Sequence, residues 1–255
     1  MRKIVNGKLK DVISGILGRL QKQYNIEYPE GYENVLFDKY YGGTDEDGKD
    51  NVKINYLGPL MRLGKLRMEK FGENYKRAVS ACKHGGKILD YGAGFGEFGV
   101  LLDKEGCLKK NVFMYDVDWE CIDVGFDFLL GKMSKDDFIV CDPKEVSNDL
   151  RLVGKMDFVF SRSVLHSIYD SKQLREYLEN SYDFLKDSGT FFGVTLAKHE
   201  TQSSFNYSRN LLSDDELKDM LTRVGFRDIG IEFSSKIVHD TEDMIYPSFA
   251  FSARK

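Results

Sequence analysis

The sequence predicts a doubly wound α/β fold: a seven-stranded, mainly parallel, Rossmann-like sheet that ends in an antiparallel hairpin strand and carries a helical N-terminal extension. Three observations lead there. From residue 87 onward, short apolar runs of strand length alternate with amphipathic runs of helix length, the pattern of a parallel sheet with helices on its faces. The first strand run, inside Lys87-Ile-Leu-Asp-Tyr-Gly-Ala-Gly-Phe-Gly-Glu-Phe-Gly99, closes on an acid and is followed by glycines at alternate positions, the composition of a sharp strand-to-helix turn. The last two strand runs have no helix between them, so they pair as a hairpin.

Taken in order, Leu9, Val12, Ile13, Ile16, Leu17 and Leu20 recur at helical spacing, so residues 9–20 form an amphipathic helix that Gly15 and Gly18 weaken. Over residues 26–56 the periodicity dissolves into a polar, tyrosine-containing stretch punctuated by Pro29, Gly31, Gly42, Gly43 and Gly48. Within it, Thr44 to Asn51 has the acidity of a calcium loop without its register. Lys49 stands where an oxygen ligand is required and the glycine comes early, so a solvated turn is expected. A second helical region runs from about Leu57 to Cys82 and stops at His84-Gly85-Gly86. Residues 1–80 are therefore read as a helical extension or lid, and 81–255 as the main domain. Strands are expected at 87–91, 111–116, 137–141, 156–161, 190–196, 227–233 and 247–253, with helices near 96–104, 119–130, 171–186 and 214–224. Ser213 and Glu216 form a capping box for the last helix and Gly225 stops it. Leu174, Tyr177, Leu178 and Leu185 share one face of the 171–186 segment.

Composition narrows the function. At 255 residues, 42% hydrophobic and 31% charged, the chain is of ordinary globular make-up. It has no run of ~18 apolar residues and its first residues lack the apolar core of a signal peptide, so a cytoplasmic protein without a membrane partner is expected. A net charge of −4 disfavours nucleic acid as a partner. Cys82, Cys107, Cys121 and Cys141 form no CxxC pair and read as small buried hydrophobes. With no dense carboxylate cluster either, no metal is predicted.

The glycine-rich loop admits two readings. Gly94-Phe-Gly-Glu-Phe-Gly99 matches the G-x-G-x-x-G dinucleotide fingerprint, which would make the chain a nicotinamide-dependent oxidoreductase. That fingerprint starts directly after its strand so that a pyrophosphate meets the helix N-terminus. Here Asp90 and an earlier glycine, Gly92, intervene. A carboxylate at the strand tip suits a cationic amino group better than a diphosphate.

On these residues the chain resembles the class I S-adenosylmethionine-dependent methyltransferases of small-molecule type. Residues 87–99 are similar to that family's D-x-G-x-G-x-G motif, and the resemblance covers about residues 57–255. It implies S-adenosyl-L-methionine as cofactor, with S-adenosyl-L-homocysteine as its product. By the same resemblance Asp90, Gly92, Ala93 and Gly94 hold its amino-acid end. Asp116, closing Val112-Phe-Met-Tyr-Asp116, holds its ribose, where one carboxylate can accept from both hydroxyls of a vicinal diol, and Val117 beside it is a further cofactor-binding residue. Asp142 and Pro143 lie against the adenine, and Ser161 and Arg162 close the fourth strand beside the cofactor. Asp118 is an alternative helix cap. Position 161–164 reads Ser-Arg-Ser-Val, without the proline pair of enzymes that methylate amino groups of nucleic acids. The expected acceptor is accordingly an O or N atom of a small molecule.

Methyl transfer needs alignment and exclusion of water more than a strong base. Where an acceptor must lose a proton, His166 and His199 are the candidate catalytic residues, since both follow strands at the carboxyl edge where open sheets bind ligands. His84 lies at the opposite end of the first strand. Specificity is expected from residues 1–80 and 198–212, whose Phe37, Tyr40, Tyr41, Tyr56, Phe205 and Tyr207 suit a pocket cover, and the N-terminal helices are a surface through which the chain could pair with itself. A third reading is a non-catalytic cofactor-binding or interaction protein on the same fold.

Overall fold

The computed structural model describes residues 2–3, 9–66, 72–198, 211–239 and 244–255. In chain order the elements are β1 (Arg2–Lys3), α1 (Leu9–Tyr24), α2 (Tyr32–Tyr40), β2 (Tyr41–Thr44), β3 (Asp50–Val52), α3 (Leu57–Leu60), α4 (Gly72–Lys83), β4 (Ile88–Tyr91), α5 (Glu97–Lys104), β5 (Val112–Tyr115), α6 (Trp119–Phe128), β6 (Phe138–Ile139), α7 (Pro143–Val146), β7 (Met156–Arg162), α8 (Ser171–Phe184), β8 (Leu185–Leu196), α9 (Asp214–Val224), β9 (Arg227–His239) and β10 (Met244–Arg254). Packing divides them into two units. One comprises residues 1–67, 94–104 and 118–135, the other 68–93, 105–117 and 136–255. No described helix is long and apolar enough to cross a membrane.

The second unit contains the predicted sheet, with strand order β6-β5-β4-β7-β8-β10-β9. β6 through β8 run parallel, whereas β10 is antiparallel to both β8 and β9, the hairpin that the missing helix implied. Its ladder sets Asp90 beside Met114 of β5 and Phe160 of β7, one residue before Tyr91 ends the central strand. Leu89, Tyr91, Val159, Phe184, Phe191 and Phe251 belong to one buried cluster. Their ring edges and faces interlock: Tyr91 meets Phe184 edge-on at 5.4 Å and Phe191 meets Phe251 at 5.0 Å. α9 is punctuated as the sequence implied, with Ser213 and Glu216 capping each other's backbone and Gly225 turning left-handed at φ 113°. Strand ends differ from expectation. β6 keeps two residues because it is an edge strand paired on one side, and β8 begins at Leu185 rather than 190 because that residue pairs with Met156 across a register shift.

In the first unit, α1 buries Leu9, Ile13, Ile16, Leu17 and Leu20 and extends to Tyr24, packing on α2 and α5. Residues 26–56 hold more structure than their patterning suggested: α2 forms there, and β2 and β3 join β1 in a three-stranded sheet. Tyrosine hydroxyls anchor the segment in place of an apolar stripe. Tyr28 donates to the Phe128 carbonyl at 2.5 Å, Tyr32 to the Asp127 carbonyl at 2.9 Å, and Tyr40 to the Asp127 carboxylate. The Thr44–Asn51 turn is a hairpin tip in which Asp45 accepts from the backbone of Asp47 and Lys49 at 3.1 and 2.8 Å. The expected helix over 57–82 is broken. Among the described residues, Pro59 sits inside the four-residue α3, Gly64 takes φ 80°, and α4 starts at Gly72. Glu97, first residue of α5, is buried and accepts from Tyr24 Oη and Gly64 N, each at 2.8 Å.

Candidate functional site

The carboxyl ends of β4, β5, β6 and β7 bring Asp90 to Ala93, Asp116 and Val117, Asp142 and Pro143, and Ser161 and Arg162 to one edge of the sheet. Position on the central strand buries Asp90 to 2% exposure, and no hydrogen bond reaches its carboxylate among the described residues. Burial pushes its pKa up to about 8, the Asp116 charge adds to the rise, and the Arg162 guanidinium opposes it.

Directly after it the chain turns. Gly92 has φ 90°, and its N–H and that of Ala93 both donate to the Tyr115 carbonyl at 2.9 Å, which ties the turn to β5. A Cβ on Gly92 would stand 2.4 Å from Val164 Cγ2, so a side chain is excluded by both conformation and space. Gly94 (φ 55°) continues the turn towards α5, and there conformation alone demands glycine.

Just after β5, Asp116 is half-buried and Val117 is 56% exposed, an apolar surface left open beside the acid. Asp118 caps α6 through the Glu120 and Cys121 amides at 3.0 and 3.3 Å, and Tyr56 Oη hydrogen bonds to its carboxylate. Asp142 is exposed and caps α7, accepting from Lys144 N at 2.8 Å, with Pro143 at the first helical position. At the end of β7, Ser161 is fully buried with Oγ 2.8 Å from Tyr177 Oη, while Arg162 is half-buried. Ser163 then adopts φ 61°, a left-handed conformation uncommon outside glycine, with its N–H on the Val194 carbonyl at 2.8 Å.

His166 occupies a single 3-10 turn after β7 and is buried. Its Nδ1 accepts from Leu196 N–H at 3.3 Å, with Thr195 Oγ1 at 3.4 Å, so in the neutral imidazole the proton sits on Nε2. His199, Phe205 and Tyr207 lie outside the described residues. His84 ends α4 with Nδ1 2.7 Å from the Ser80 carbonyl, before β4 begins. Sequence reasoning passed over Tyr91, Val164, Tyr177 and Asn180. Tyr177 was legible only as part of an apolar face, because nothing in helical spacing separates a hydroxyl that bonds inward from one that reaches water.

Asp90 near the end of the central strand thus runs into a glycine turn, and a second acid, Asp116, follows the neighbouring strand at the carboxyl edge of the sheet, where open α/β sheets bind ligands. Residues 63–230 match the family described as "Methyltransferase domain", and the chain belongs to that family. Among curated relatives it is similar to methyltransferase trt5 of Aspergillus terreus, 27% identical over 115 residues, a match spanning 44% of this chain and 41% of that protein. Among solved structures, a SAM dependent methyltransferase from Archaeoglobus fulgidus superposes with a TM-score of 0.55 at 21% identity, covering 75% of this chain and 96% of that one. Phosphoethanolamine N-methyltransferase 2 of Haemonchus contortus, solved with S-adenosyl-L-methionine, gives 0.53 at 19% identity over 72% and 53%. The structural likenesses establish the fold.

Proposed function

We propose that this chain is an S-adenosylmethionine-dependent methyltransferase that moves a methyl group to an oxygen or nitrogen of a small-molecule acceptor. One observation carries the reading: the Asp90 carboxyl, 2% exposed and with no hydrogen bond among the described residues, lies one residue before the end of the central strand, next to a turn whose Gly92 admits no side chain. Ionising a buried acid that no hydrogen bond reaches is costly, and a ligand ammonium would favour its charged form. The complex of the Haemonchus contortus relative and the family membership support the same cofactor.

On this reading Asp90 binds the amino group, and the turn Gly92-Ala93-Gly94 lets the amino-acid end approach the backbone. Asp116 accepts from the ribose diol, exposed Val117 packs on the adenine from one side, and the Asp142-Pro143 corner borders it from the other. Arg162 balances the paired acids Asp90 and Asp116. Bound S-adenosylmethionine supplies a methyl group already activated on a sulfonium, so the protein's remaining work is alignment and exclusion of water. His166 orients the acceptor, and proton removal falls to His199.

Transfer itself tests the proposal. Purified protein is incubated with methyl-tritiated S-adenosylmethionine and pools of phenols, carboxylic acids and amines. Label passing into the organic extract, and absent with Asp116→Ala, is the expected result. Label on added nucleic acid or protein, with none in the extract, would refute the small-molecule acceptor.

A further inference from the structure

Helix α8 belongs to the same unit as β4, β6 and β7, and two of its buried side chains reach chain segments at the carboxyl ends of all three. The Tyr177 hydroxyl donates to the Tyr91 carbonyl at 2.7 Å. A phenol has one proton, so the 2.8 Å bond between this oxygen and Ser161 Oγ is donated by the serine. Asn180 Nδ2 donates to Tyr91 Oη at 3.2 Å and to the Pro143 carbonyl at 3.4 Å. The Tyr177 ring lies flat on that of Tyr91, centroids 4.2 Å apart and planes 3° from parallel.

The peptide between Tyr91 and Gly92 is consequently fixed at both ends. Its carbonyl is held by Tyr177 and its N–H by the Tyr115 carbonyl at 2.9 Å. Rotating this plane would leave a buried carbonyl without a donor, which is strongly disfavoured. The plane follows Asp90 directly and sets the entry into the φ 90° turn at Gly92.

We propose that Tyr177 is a positioning residue for the amino-acid half of the bound cofactor. It acts through the Tyr91–Gly92 peptide, and Ser161 supports it from β7. Ser161 contributes through its hydrogen bond to Tyr177. The inference rests on the cofactor reading above. Asn180, which bonds to the Pro143 carbonyl as well as to Tyr91, acts on the adenosine half too.

The test is calorimetric titration with two ligands, S-adenosylhomocysteine and 5′-methylthioadenosine, which lacks the amino-acid end. Tyr177→Phe keeps the stacked ring and removes the donor. It should weaken S-adenosylhomocysteine by about five- to tenfold, the worth of one neutral hydrogen bond, and leave methylthioadenosine within about twofold of wild type. Ser161→Ala should show a smaller loss with the same selectivity, and it decides the matter if Tyr177→Phe does not fold. Asn180→Ala should weaken both ligands. Equal losses on both ligands, or none, in Tyr177→Phe or Ser161→Ala overturn the inference while the cofactor reading stands. Wild-type protein that binds neither ligand overturns the cofactor reading and this inference with it.

Discussion

Replacing Asp90 by Asn changes charge at almost constant shape, and the structure fixes what should follow. Folding raises the Asp90 pKa from its ordinary 3.8 to about 8. Between those values the folded protein holds a proton that the unfolded chain has released. Stability from this group is thus fully present below about pH 4 and is lost as pH rises towards 8, at about 1.4 kcal/mol per pH unit. From pH 5 to pH 7 the wild type should lose about 2–3 kcal/mol that Asp90→Asn does not lose. Every other titrating group is common to both proteins and cancels in the difference. Urea unfolding at pH 5, 6 and 7 measures it directly, read as midpoint shifts at constant slope. The asparagine variant should overtake the wild type as pH rises and bind no S-adenosylhomocysteine, so stability and function part at one residue. Parallel stability curves would refute the reasoning, because they would mean that Asp90 is solvated or paired when ionised.

Three further outcomes follow from the same geometry. Gly92→Ala places a Cβ 2.4 Å from Val164 Cγ2 at φ 90° and should cost about 2–4 kcal/mol; pairing it with Val164→Ala should recover only the steric share, as measured by thermal unfolding. His166→Gln preserves a donor but loses the Nδ1 acceptor for Leu196 N–H, so kcat should fall while the pH profile of kcat/KM keeps its shape; loss of its acidic limb would make His166 the base instead. Ser213→Ala breaks the capping box of α9 at a cost of about 1 kcal/mol in chemical denaturation, without change in cofactor affinity; an affinity loss would tie α9 to the site.

The sheet was legible because its central strands are apolar runs bounded by turn residues, and the hairpin because no helical pattern separates the last two strand runs. The acids and glycines of the loop were legible for a related reason: each is a residue type that an ordinary core or helix position would reject. Other features left no such mark. α2 and the small sheet are held by tyrosine hydroxyls and glycine-rich strands, which carry no hydrophobic period. The break at Gly64 was hidden because Leu60, Leu63 and Leu66 keep a helix-like spacing while all three are buried around a turn. Asp118 caps the helix that follows it, as its position suggested, and Asp142, read as a strand-end acid, caps its own following helix as well. Tyr177 was read as one more apolar contact on the α8 face, yet its hydroxyl bonds to Tyr91 and Ser161 across elements far apart in sequence.

The central claim is that the Asp90–Gly92 turn takes the amino-acid end of a sulfonium cofactor rather than a diphosphate. Calorimetric titration with S-adenosylhomocysteine, run beside NAD and repeated on Asp90→Ala, tests it most directly. The account predicts micromolar binding of S-adenosylhomocysteine that Asp90→Ala abolishes, with no heat from NAD; binding of NAD, or of S-adenosylhomocysteine undiminished in the variant, would contradict it.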